Sequence, residues 1–321
     1  MTGTIRDYGR LALLAFLVAM VATRFGLVIH ELGGHAATAA LIGCKVDGYH
    51  LFWFGGGYVR YSRAEPFSTG EQLFVAMGGL ALELILSIVC LWWARRLQRG
   101  SLPQLAVLGI GIGLLLHCLH YVAGGTFHGY GDPWVLYTDL GSARVYVAVA
   151  VAVVMCGAGF FLARYMAGLL RGLLARHSAR TQLAIIVAAV LTAGAAHATL
   201  AFGEQAIAPN RTYKATFKSV SERQVEAGVR RYRVMLVRRR GRAPSAEELA
   251  RVRRRLKRTH ATFPFALVIS VCLGLAVIAG MVVARPVDVT AGGVPTLGGQ
   301  RNLALVAVSG LALVGILRAF S

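Results

Sequence analysis

The sequence predicts an all-α polytopic membrane protein: six or seven transmembrane helices, a small β-hairpin after the first, and a basic extramembrane segment. Three observations predict it. Of 321 residues, 56% are apolar and only 15% are charged, too few charges to cover a soluble globule of that length. Apolar runs of about 20 residues, enough to cross a bilayer, recur near 11–43, 72–94, 103–123, 143–163, 182–202, 263–284 and 303–320. The formal charge of +20 is also uneven, with 17 Lys and Arg against 4 Glu between 210 and 260.

The organisation that follows is a membrane core over 1–202, a basic segment over 203–262, and C-terminal transmembrane helices over 263–321. The first apolar run continues through Ile42 without the small-residue cleavage site of a secretory signal, so it is expected to stay as a helix. After it, KVDGYHLFWFGGGYVRYSRA is rich in aromatic and β-branched residues around three glycines, the pattern of a hairpin near 45–62. In the basic segment, Ser245 precedes Glu248 by three residues, with acids early and bases late, as an N-capped helix prefers. The five cysteines are scattered in or beside apolar runs and read as small hydrophobes.

The basic segment holds the arginine runs 238–240 and 253–255. No aromatic ladder or nucleic-acid motif accompanies them, so contact with anionic lipid headgroups is expected rather than specific nucleic-acid binding. Orientation is divided. RRLQR at 95–99 with Arg164, Arg171, Arg176 and Arg180 favours one side as cytoplasmic, whereas the basic segment falls opposite them unless a run between 143 and 202 fails to cross. The expected location is a multi-pass protein of a bacterial-type inner or plasma membrane.

The chemistry lies in VIHELGGHAATAALIGC, residues 28–44. Two imidazoles and a carboxylate in an apolar run are expensive unless they serve a function. His30 and His35 stand five apart. On a regular helix that spacing sets them about 140° apart, whereas residues four apart differ by about 40° and share a face. A π-type turn with i→i+5 bonding absorbs the extra residue, and Gly33–Gly34 is where the backbone deforms most readily. Two neutral imidazoles then hold Zn²⁺ and Glu31 serves as general base toward water. In a straight helix, by contrast, Glu31 and His35 share a face and suit a carboxylate-histidine iron site.

A third ligand is needed. The loop GGTFHGYGDPWVLYTDLGS at 124–142 emerges on the same side as the histidines. Asp132 is favoured because Gly131 and Pro133 fix the backbone around it; Asp139, His117, His120 and His128 remain alternatives. His117 and His120 can also orient ligands, and Glu83 is a candidate for the same supporting role. His197 reads as a packing residue among small neighbours, and Arg24 as balancing a buried carboxylate or lining a polar cavity.

HELGGHAATAALIG, the glycine-bearing hairpin, MGGLALELIL in the second helix and an Asp in a later loop together resemble the intramembrane zinc metalloproteases of the site-2 protease class. The resemblance covers about residues 20–142. It implies that His30, His35 and Asp132 are metal ligands, that Glu31 is the catalytic glutamate, and that the substrate is a membrane protein or peptide. The histidine spacing is one longer than that family's, and Asp132 stands before Pro where the family has Gly. The resemblance also gives the hairpin a role, with a strand edge pairing an unwound substrate and Gly55, Gly56 and Gly57 allowing its backbone to approach. The rival readings are an iron oxidoreductase built on Glu31, His35, His117, His120 and His128, and a non-catalytic transporter or scaffold.

Overall fold

The computed structural model describes residues 2–216, 218–240, 243–289 and 293–319, with the side chains at 2, 211, 216 and 238–240 also outside the description. The arginine run at 238–240 therefore lies outside the described side chains. The first membrane helix begins as α1, Thr2–Val28, passes into a π-helix over Ile29–Ala36, and ends as α2, Ala37–Leu41. The Ala37 N–H reaches back five residues to the Leu32 carbonyl. That i→i+5 bonding widens the turn by roughly one residue, so residues five apart take up the relation that four apart have in an α-helix. The straight-helix alternative is thereby corrected.

Gly43, in the left-handed region at φ 79°, ends this helix. The chain turns back into β1, Lys45–Leu51, which pairs antiparallel with β2, Gly57–Ser62, with a bulge between Val46 and Gly48. Helix α3, Thr69–Ala94, opens on a capping box between Ser68 and Glu71. Helix α4, Leu102–His128, starts at the N-cap Ser101 and stops at Gly129, again left-handed. A short α5, Trp134–Asp139, leads to α6, Arg144–Leu173, and α7, Ala179–Ile207. The basic segment forms α8, Arg211–Thr216, α9, Val220–Arg240, and α10, Ala246–Thr259. Helices α11, Phe265–Val283, and α12, Arg301–Ala319, complete the chain.

Among the described residues seven helices are long and apolar enough to cross a membrane, and the protein is an all-α polytopic membrane protein with one small sheet. Helix α1 is central. Its Leu11, Leu14, Leu17, Met20 and Val21 share a core with Leu105 and Leu108 of α4, Leu169 and Leu173 of α6, Ile186 of α7 and Ala307 of α12.

The basic segment is more ordered than the sequence implies. Its Ser245–Glu248 capping box is present, but α9 is a second helix that dense charge hides from a periodicity argument. Gly228 seats it on α10, where an added methyl would lie 2.7 Å from Leu256 Cδ1.

The two ends of the bundle are fixed by contacts. At one, Asp7 pairs with His177 at 2.8 Å and the Gln300 amide donates to the Arg10 carbonyl at 3.0 Å. At the other, the Asn210 amide donates to the Tyr58 hydroxyl at 3.4 Å, and the Ala266 N–H donates to His128 Nε2 at 3.3 Å. Both α6 and α7 are long and apolar enough to cross. The basic segment, the hairpin and the loop carrying Asp132 thus share one end, opposite Arg95, Arg96, Arg99, Arg171 and Arg176.

Candidate metal centre

The π-helix aims two imidazoles at one point. His30 Nε2 and His35 Nε2 are 3.1 Å apart, with their rings near perpendicular at 79°. Asp132 Oδ2 closes the triangle at 3.0 Å from His30 Nε2 and 3.3 Å from His35 Nε2. Zinc bound tetrahedrally at about 2.0–2.1 Å requires donor–donor edges of about 3.3 Å. The observed triangle matches that edge to within about 0.3 Å.

The hydrogen bonds of the ring nitrogens suit the site to a cation. His35 Nδ1 donates to the Val75 carbonyl at 2.8 Å, so its Nε2 presents a lone pair. His30 Nδ1 faces the Glu83 carboxylate at 3.6 Å. That distance is longer than a hydrogen bond but favours the proton on the same nitrogen. Three acceptors then meet with no donor among them, an arrangement that a cation held at their centre would satisfy.

Close packing against α3 sets the geometry. A methyl at Gly34 would overlap the backbone of Gly79 and come within 2.8 Å of the Gly78 carbonyl carbon. One at Gly79 would meet the His30 ring at 2.8 Å. Small residues let the two helices approach to this distance, and the Thr38 hydroxyl donates to the Gly34 carbonyl at 2.6 Å. Gly131 stands in the left-handed region at φ 59°, and a side chain there would overlap the Tyr121 hydroxyl. That hydroxyl accepts the Asp132 N–H at 3.1 Å and fixes the loop.

Glu31 is buried, and its Oε2 closes no hydrogen bond. It lines one cavity of about 1090 Å³ with His30, His35 and Asp132. Away from His30, His35 and Asp132, apolar residues such as Leu11, Leu14, Met166 and Leu170 line the same cavity. Glu83 has the partners that the sequence did not show, facing His117 Nδ1 at 3.5 Å as well as His30.

The other candidates lie elsewhere. His120 bonds the Ser270 hydroxyl at 2.9 Å and His128 accepts from Ala266 at 3.3 Å, so His120 does not support the ligands as expected. Asp139 is exposed, 3.3 Å from the Thr138 hydroxyl. It too is corrected, because α5 turns it away from the histidines. Of the hairpin glycines, only Gly57 approaches Glu31, where an added methyl would lie 3.1 Å from Cγ. Gly55 and Gly56 are covered instead by Phe52 and Tyr213, so their close approach is to the protein's own side chains. His197 is more than packing, with Nε2 at 3.2 Å from the Thr23 hydroxyl.

The fold and site together define a polytopic membrane protein with a buried two-histidine, one-carboxylate centre. Compared with family models, curated proteins and solved structures, the chain gives no match.

Proposed function

We propose that this chain is a membrane-embedded zinc metalloprotease that hydrolyses peptide bonds within or beside transmembrane segments. One observation carries the reading: three acceptor atoms converge at zinc-like spacing beside a buried carboxylate whose Oε2 closes no hydrogen bond. His30, His35 and Asp132 would hold the ion. Bound there, zinc supplies a Lewis acid that polarises a carbonyl and acidifies water.

Glu31 takes the proton of the attacking water at Oε2 and passes it to the leaving amine. Glu83 and the Val75 carbonyl orient the two imidazoles through their Nδ1 atoms. The outer edge of β2 lines the cavity beside Glu31, where an extended substrate segment can add as a strand. The apolar part of the cavity accepts the rest of that segment. Anionic lipid contact by residues 210–260 and a bacterial-type inner or plasma membrane complete the reading.

Two imidazoles and one carboxylate also suit Fe(II). Hydrolysis is favoured by Glu31, which a redox site does not need, and by the dispersal of His120 and His128. The test is cleavage of transmembrane peptides by the purified protein, with metal analysis alongside. Glu31→Gln is expected to abolish cleavage while zinc is retained. Stoichiometric iron, or an unchanged rate in Glu31→Gln, would overturn the reading.

A further inference from the structure

The hairpin tip is held in an uncommon way. Residues 53–55 make no strand pairing, yet each of their backbone N–H and C=O groups is satisfied by a side chain from another helix. Arg24 of α1, only 2% exposed, donates through Nη1 to the carbonyls of Phe52 at 2.9 Å and Trp53 at 2.8 Å. Its Nη2 donates to Phe54 and Gly55, both at 3.0 Å. From the other side, the Glu204 carboxylate of α7 accepts the N–H groups of Trp53 at 2.7 Å, Phe54 at 2.8 Å and Gly55 at 3.2 Å. Arg318 of α12 steadies that carboxylate at 3.3 Å. The clamped stretch ends two residues before Gly57, where β2 begins beside Glu31.

We infer that Arg24 and Glu204 are positioning residues that set the distance between the β2 edge and Glu31. The inference rests on the protease reading, in which that edge receives the substrate. A forked guanidinium and a carboxylate suit the task because each grips several backbone groups at once in a fixed plane. Arg24 thereby ties the tip directly to α1, which carries the site six residues further on. Loosening the clamp lets the edge drift, which weakens an interaction made alike in the ground and transition states and therefore appears in KM.

The experiment uses the full chain in lipid vesicles and compares wild type with Glu204→Gln, which keeps the shape but removes the charge that three N–H groups share. Four quantities are read: zinc content, kcat, KM for a transmembrane peptide, and hydrogen exchange at residues 53–55. The expected result is unchanged zinc, faster exchange at the tip by roughly tenfold or more, KM raised roughly tenfold and kcat within about twofold of wild type. Arg24→Lys, which keeps charge but loses the fork, is expected to fall between the two. Faster exchange with unchanged KM overturns the inference, as does loss of zinc together with kcat, which marks a merely structural role. Wild-type protein that binds no metal and cleaves nothing defeats the protease reading itself, before any variant is compared.

Discussion

Gly34→Ala tests how tightly the site depends on the approach of the π-helix to α3. The added methyl would overlap the backbone of Gly79 and stand 2.8 Å from the Gly78 carbonyl carbon, where carbon atoms prefer about 3.5–4.0 Å. The two helices must therefore part by more than about 1 Å, far beyond the ±0.2 Å or so that a metal site tolerates in its ligand distances. Overpacking of this kind costs about 1–3 kcal/mol, against a helix-propensity gain for Ala over Gly of about 1 kcal/mol.

Gly33→Ala supplies the control, since it carries the same propensity gain but meets only the mobile end of Leu82, at 3.2 Å. Zinc affinity by chelator competition and thermal unfolding are measured for both variants. Gly34→Ala should lose at least tenfold in affinity, roughly 1.4 kcal/mol, and unfold at lower temperature. Gly33→Ala should stay near wild type. Equal behaviour of the two would refute the reasoning, because it would mean that backbone contact does not set the ligand geometry.

Three further outcomes follow from the same structure. Glu83→Gln removes the carboxylate facing His30 Nδ1 and should weaken zinc binding by roughly 10- to 100-fold, read by the same competition assay. Gly131→Ala forces a side chain into a left-handed position already filled by the Tyr121 hydroxyl. It should strip zinc more completely than Tyr121→Phe, which removes the acceptor of the Asp132 N–H without adding a clash; metal analysis of both proteins checks the order. Ser245→Ala breaks the capping box of α10 and should destabilise that helix by about 0.5–2 kcal/mol, visible as faster hydrogen exchange in α10 with zinc content unchanged.

Much of this geometry could be anticipated where a local rule had one outcome. A five-residue histidine spacing across Gly33–Gly34 admits convergence only through an i→i+5 turn, and that turn is present. Counting crossings places the loop of Asp132 at the histidine end of the bundle, and Asp132 lies there within 3.3 Å of both rings. Contacts between distant segments were not legible. Nothing near Glu83 in sequence points to His30 and His117, and nothing near Arg24 points to the carbonyls of 52–55. The signal for the helix crossing was present but ambiguous: Gly78–Gly79 and Gly33–Gly34 are both glycine pairs, and a pair alone does not say what it packs against. Helix α9 escaped because its charges obscure the apolar positions, of which Val225 and Leu236 are buried.

The central claim is that His30, His35 and Asp132 share one ion. X-ray absorption at the zinc edge of the purified full chain, beside His35→Ala, tests it most directly. The account predicts zinc in a one-to-one ratio, bound by two imidazole nitrogens and carboxylate oxygen at about 2.0–2.2 Å, and lost in the variant. Protein without stoichiometric zinc, or zinc that persists with the same shell in His35→Ala, would contradict it.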